Sequence, residues 1–207
     1  GEAPPVAKSL KGHLGESLQK KSVKREEQMK KVQDYFLYFM LYSVIGWIYE
    51  VFLEVVVYRW GFSNRGALFG PYCVVYGFGA VILLLTLSGL MKKKLRLGPF
   101  PVTPVLVFLG IVLITTAVEL AASYIMELTL GAWQWDYTRF AFNFQGRIAL
   151  NPSIRFGIGG MVILYLLHPL AVRLTEETSP RIQRAAALIC LIVLAADCLH
   201  LVLKNWI

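Results

Sequence analysis

The chain has 207 residues, of which 57% are hydrophobic, and a formal charge of +8; its mean hydropathy is +0.57. That is too apolar for an ordinary soluble domain, and the long apolar runs point to an all-α, polytopic membrane helix bundle of about five transmembrane helices with its N-terminus inside. Membrane strands are excluded because the runs do not alternate polar and apolar residues, and nucleic acid is excluded as a partner because the basic residues are distributed as topology signals.

Residues 1–34 are polar and lysine-rich and read as a basic cytoplasmic tail, either mobile or lying as a short surface helix. Residues 35–207 then form a single transmembrane helical domain. The first apolar span, Tyr35–Tyr58, carries two carboxylates, Glu50 and Glu54. A charge at membrane depth costs roughly 2.5–3.5 kcal/mol even on the lenient insertion scale, so such residues mark function by default. Ser43, Trp47, Glu50 and Glu54 follow i, i+4, i+7, i+11 spacing and share one helical stripe. At 1.5 Å per residue, Glu50 lies roughly 22 Å from the inner end of the span, past the midplane.

The connection Arg59–Phe69 carries Asn64 and Arg65, and the second span, Gly70–Met91, hangs Tyr72 and Tyr76 in the outer half. Gly66, Gly70, Gly77 and Gly79 suit tight turns and close helix packing better than phosphate binding. After the basic connection Lys92–Arg96 and the breakers Gly98, Pro99, Pro101 and Pro104, the third span is Val105–Leu128. It places Glu119 about 21 Å above Val105 and Glu127 at the outer end. The long connection Thr129–Arg155 is rich in aromatic, amide and charged residues, among them Trp133, Trp135, Asp136, Tyr137, Asn143 and Arg147. The two tryptophans also suit an interfacial belt.

In the fourth span, Phe156–Leu174, His168 sits near the inner end and reads as a packing residue. In the fifth, Ala185–Leu203, Asp197 and His200 are three apart and are expected to hydrogen-bond to each other. Cys73, Cys190 and Cys198 give neither a disulfide framework nor a zinc spacing. Fifteen of the 21 basic residues fall on the side of the tail and the lysine loop, six on the other. The positive-inside rule therefore puts the N-terminus in the cytoplasm. No internal repeat is evident, no Walker sequence is present, and nothing in the chain calls for a metal or cofactor.

The acids thus cluster in the outer leaflet beneath two loops that carry arginines. Arg65 and Arg147 are the expected partners for the carboxylates, because a guanidinium grips a carboxylate bidentately. A purely structural ion-pair network locking loops onto helices is the competing reading.

The segments Gly46–Glu54 (GWIYEVFLE), Asn64–Ala80 (NRGALFGPYCVVYGFGA), Trp135–Tyr137 (WDY) and Asn143–Gly157 (NFQGRIALNPSIRFG) together resemble the bacterial CmpB-like family of type IV ABC-transporter membrane proteins. The resemblance runs from about Tyr35 to Leu170 and departs at Gln145, where Asn is expected, and at Phe156, where Trp is expected. It implies a small multi-pass protein of the bacterial cytoplasmic membrane. It also implies transport, with a separate ATPase subunit or further copies of the chain as partners.

Three functions fit these residues. One is a permease-like protein that binds a small polar or phosphate-bearing ligand at an acid/arginine site in the outer half of the membrane. Another is a membrane-embedded enzyme acting on a lipid or lipid-linked headgroup, with Glu50 or Glu119 as general base and arginine as anion clamp. The third is a non-catalytic accessory or sensor protein that binds lipid or a partner helix. Trp47, Glu54, Asn64, Arg65, Tyr76, Asp136, Tyr137, Asn143 and Arg147 are the expected ligand-binding residues.

Overall fold

A computed structural model describes the backbone of residues 5–206 apart from positions 58, 65, 67 and 134, and side chains from residue 16 onward apart from 130, 205 and 206. Five helical segments are long and apolar enough to cross a membrane: Glu16–Val57, Val74–Met91, Thr103–Thr129, Leu150–Glu177 and Pro180–Lys204. Helix α1 is a single 48-residue rod, Pro5–Phe52, that ends in a π-helical turn at Leu53–Val57. Residues 16–31 are helical and exposed along their whole length. This basic segment continues the axis of the first span, since nothing in it breaks a helix and its Lys, Glu and Gln are good helix formers.

Helices α2 (Val74–Met91) and α3 (Thr103–Leu130) are joined by a two-stranded hairpin, β1 (Arg96–Leu97) with β2 (Phe100–Pro101). Thr103 closes this turn: its hydroxyl donates to the Lys93 carbonyl at 2.6 Å and accepts from the Leu95 N–H at 2.9 Å. A second small hairpin, β3 (Asn143–Phe144) with β4 (Ile148–Ala149), leads into α4 (Leu150–Val162). A π-helical turn at Ile163–Leu167 links α4 to α5 (His168–Glu177), and α6 (Pro180–Trp206) ends the chain. The widened turn has a cause in Pro169, which has no N–H to continue the ladder; the His168 N–H reaches back five residues to Ile163.

The half of the bundle on the side of the α2–α3 hairpin is an apolar core. Tyr42, Leu83, Leu84, Leu87, Val107, Ile111 and Leu164 are buried between α1, α2, α3 and the turn before α5. His168 packs there as expected, 3.1 Å from the Tyr42 hydroxyl and edge-on to the Tyr38 ring. A second cluster, Phe39, Met40, Leu68 and Tyr72, ties α1 and the following loop to Cys190, Leu194 and Leu201 of α6.

The hairpins α1–α2 and α3–α4 share an internal register that the sequence did not reveal. In α2, Gly77 lies against Phe39 and Ser43 of α1, and a Cβ there would collide with the Phe39 carbonyl. In α4, Gly157 lies against Phe108 and Val112 of α3 in the same way. Glu50 follows Phe39 by eleven residues, and Glu119 follows Phe108 by the same interval. Each hairpin therefore presents one glutamate at the same height above a glycine contact.

Candidate functional site

The residues singled out by sequence gather in two groups rather than one. The first is built on α1, α2 and the loop between them. Tyr76, one residue before Gly77, donates its hydroxyl to Glu50 in a short hydrogen bond, with the Tyr49 ring edge-on beside it. Glu54, almost fully buried, accepts from both the hydroxyl of Ser63 (2.7 Å) and its N–H (3.3 Å). The Trp47 indole donates to Asn64 at 2.8 Å, and the Asn64 amide in turn donates to the carbonyls of Leu68 and Phe69. Trp47, Glu54 and Asn64 thus shape the loop. Arg65 lies outside the described residues.

Asp197 belongs to this group through α6 and does not pair with His200. Its carboxylate accepts the N–H groups of Phe69 (3.0 Å) and Gly70 (2.9 Å) and the hydroxyl of Tyr72 (2.5 Å). His200 instead stands edge-on to Phe69. Burial, then the bond to Asp197, pushes the Tyr72 hydroxyl above its ordinary pKa.

The second group is built on one stripe of α3, Glu119, Ser123 and Glu127, which are spaced i, i+4, i+8 and covered by the connection to α4. Arg147 lies here, only 5% exposed. Its guanidinium pairs with Glu127, donates to Ser123 at 3.4 Å, and is held between two rings, 3.9 Å from Trp133 and 4.1 Å from Tyr124. A desolvated cation between aromatic faces gains about 2 kcal/mol or more. The expected arginine clamp is therefore real for Glu127, whereas among the described residues no arginine pairs with Glu119. Glu119 accepts the Tyr137 hydroxyl at 2.8 Å. Burial, then that bond, pushes the Tyr137 hydroxyl above its ordinary pKa. The shared register explains the difference between the two glutamates. The residue before Gly77 is Tyr76, which serves Glu50; the residue before Gly157 is Phe156, which has no hydroxyl, so a loop tyrosine serves Glu119 instead.

The loop itself is fixed by local chemistry. Gln145 (φ +53°) and Gly146 (φ +67°) form a hairpin turn with both central residues in the left-handed region, closed by the Arg147 N–H to the Phe144 carbonyl at 2.9 Å. Asparagine suits the first of these positions better than glutamine, which gives a conformational reason for the residue expected at 145. Asn143 brackets the turn, accepting from the Gly146 N–H and donating to the Phe140 carbonyl. Asp136 is exposed and accepts the N–H and hydroxyl of Thr138, and these bonds, the N–H first, hold its carboxyl below the usual range. Asp136 and Asn143 position the loop. The indole of Trp135 does the same by donating to the Arg147 carbonyl at 2.7 Å.

Among the described residues, three polar atoms near Arg147 and on the α3 stripe are buried without a hydrogen-bond partner: Glu119 Oε2, Arg147 Nε and Trp133 Nε1. Buried polar groups are ordinarily satisfied, which sets these three apart. Sequence reasoning named Glu119 and Arg147 but read Trp133 as an equally good belt residue and left Ser123 and Tyr124 out. Ser123 shares the α3 stripe with Glu119, and Tyr124 is three residues before Glu127, so helical spacing was the available signal. Among the described residues no cluster of His, Cys, Asp or Glu could hold a metal ion.

Comparison with known proteins agrees with this architecture. No curated protein and no solved structure is significantly similar to the chain. The family described as "Putative ABC-transporter type IV" matches residues 37–202, a stretch that reaches into all five spans and contains every residue of both groups. The chain belongs to that family of ABC-transporter-type membrane proteins.

Proposed function

We propose that this protein is a permease-like component of the bacterial cytoplasmic membrane that holds a small polar ligand in the outer half of the bilayer, between Glu119 of α3 and Arg147 of the covering loop. The observation that carries this reading is the set of unsatisfied buried atoms, Glu119 Oε2, Arg147 Nε and Trp133 Nε1. An intramembrane carboxylate with a spare oxygen beside spare N–H donors suits a polar guest. Glu50, Tyr76, Glu54 and Asn64 form a separate polar group that fixes the α1–α2 connection, and the transporter family supports an ATPase subunit as the energy-coupling partner. The excess of lysine and arginine on the tail and the α2–α3 connection supports a cytoplasmic N-terminus.

A second reading is favoured by the dry core below the site, where Leu84, Val107, Ile111 and Leu164 leave little polar surface for a route inward. On that reading the protein acts on a lipid headgroup, with Glu119 as general base and Arg147 steadying developing negative charge.

The test is to extract the wild type and the Glu119→Gln and Arg147→Gln variants directly into native-membrane nanodiscs and compare co-purifying compounds by mass spectrometry. A compound retained by the wild type and lost from both folded variants is the expected result. An identical set of compounds on all three proteins would contradict the site.

A further inference from the structure

From the same three unsatisfied atoms we infer that the ligand is a small zwitterion, a primary ammonium joined by a few bonds to an anionic group, whose ammonium meets Glu119 and whose anion meets Arg147 and Trp133. This rests on the reading above that the α3–loop group is a binding site, and it adds the chemical class of the guest.

The charges on the page point to this class. Glu127 already balances Arg147, so with every group ionised the stripe carries one excess negative charge, that of Glu119. The only described donor to Glu119 is the Tyr137 hydroxyl, which is neutral. A cationic donor to Oε2 would cancel that excess charge as well as complete the hydrogen bond. Arg147 Nε and Trp133 Nε1 demand the opposite, since each is an N–H that needs an acceptor. They lie together, because the guanidinium carbon stands 3.9 Å from the Trp133 ring. Ser123, to which Arg147 donates, is one helical turn, about 6 Å, above Glu119. Along the α3 axis Glu119 and the residue that anchors Arg147 are thus about one turn apart, and a compact zwitterion carries both of the charges that these two levels call for.

The two equivalent glutamates are closed differently. Glu50 is closed by Tyr76, which lies in α2 against Gly46. Glu119 is closed by Tyr137, which belongs to the same connection as Trp133 and Arg147.

The ammonium and anion could belong to a soluble molecule or to an ethanolamine phospholipid headgroup, and the experiment separates these sources. The full chain is placed in nanodiscs of phosphatidylcholine alone, with added phosphatidylethanolamine, with added phosphatidylglycerol, or in phosphatidylcholine with soluble phosphoethanolamine. Thermal unfolding is followed in each, since a ligand that binds the folded state raises the midpoint. A midpoint raised by phosphatidylethanolamine beyond phosphatidylglycerol supports a lipid headgroup, and one raised by soluble phosphoethanolamine supports a free zwitterion. In either case Glu119→Gln removes the preference for the amine-bearing probe, whereas Arg139→Gln in the exposed part of the loop retains it. Trp133→Phe keeps an aromatic ring beside Arg147 and removes the N–H together with the rest of the pyrrole ring. It is expected to shrink the ligand-induced shift measured from the variant's own ligand-free midpoint, so the inference stays testable if Glu119→Gln folds poorly. Equal shifts from phosphatidylglycerol and phosphatidylethanolamine would overturn the zwitterion and leave an anion site standing. Absence of any shift would overturn the zwitterion, and if native co-purification were also unchanged by Glu119→Gln and Arg147→Gln, the binding site would fall with it.

Discussion

At the scale of single residues, the sequence showed which spans carry the acids and anticipated Arg147 as a partner, seen at Glu127, but not the partners of Glu50, Glu119 or Asp197. Pairing depends on loop conformation, which hydropathy and helical rise do not encode. Asp197 is the clearest case. Its spacing from His200 suggested a local pair, yet it satisfies two backbone N–H groups and a tyrosine hydroxyl from a loop more than a hundred residues earlier. Asp197→Asn replaces one acceptor oxygen by a donor facing other donors. It is expected to cost about 1–3 kcal/mol and to raise the protease sensitivity of the 59–73 connection; unchanged melting and cleavage would refute that anchor. Gln145→Asn relieves a left-handed glutamine and should stabilise by about 0.5–1 kcal/mol in thermal unfolding. Tyr137 and Tyr72 both have folded pKa values above their unfolded ones. Their contribution to stability is therefore complete below the ordinary tyrosine pKa near 10 and is lost as the pH rises through the higher folded values. An alkaline titration should show melting temperature falling from about pH 10 upward, less steeply in Tyr137→Phe than in the wild type.

At the scale of elements, the five spans were readable because each is an apolar run of helical length, but several starts were displaced. The second span was expected from Gly70, whereas α2 begins at Val74. The N–H groups of Phe69 and Gly70 are taken by Asp197 and Pro71 follows them, so the chain bends there, with the Tyr72 N–H turned back to the Gly70 carbonyl at 2.8 Å, and the helix starts only after Cys73, whose N–H bonds to the Ser43 carbonyl of α1 at 2.8 Å. The fourth helix begins at Leu150 instead of Phe156, since Asn151, Ser153 and Arg155 lower the apolar signal without breaking the helix, and Pro152 is tolerated in a first turn. The register shared by α1–α2 and α3–α4 escaped notice because it rests on only a few positions. It makes a paired prediction. Gly77→Ala and Gly157→Ala push a methyl into the preceding helix and should each destabilise by about 1–3 kcal/mol. Gly79→Ala and Gly159→Ala, with no atom within 4 Å of the added carbon, should be near neutral. Four equal melting temperatures would contradict the packing.

At the scale of the whole molecule, the division of labour is vertical. The half on the side of the α2–α3 hairpin is a packed apolar core, the other half carries the α1–α2 and α3–α4 connections with Glu50, Glu54, Glu119 and Glu127, and α1 runs on beyond the bundle as a basic rod. At 1.5 Å per residue the full 48-residue helix is about 72 Å long, more than twice the apolar thickness of a bilayer. The orientation proposed for it follows from charge asymmetry, so Lys93→Cys and Thr138→Cys, in a background with the native cysteines replaced, should label with an impermeant maleimide from opposite sides. Lys93→Cys reacts only after the cells are opened, and Thr138→Cys reacts in intact cells; the reverse pattern would invert the topology and put the site on the cytoplasmic face. The function rests on the unfilled hydrogen bonds at the α3–loop junction, and electron cryo-microscopy of the protein in native-lipid nanodiscs measures them most directly. The account predicts non-protein density touching Glu119 Oε2 and the N–H groups of Arg147 and Trp133. A map in which those three atoms are satisfied by protein groups, with nothing between them, would contradict it.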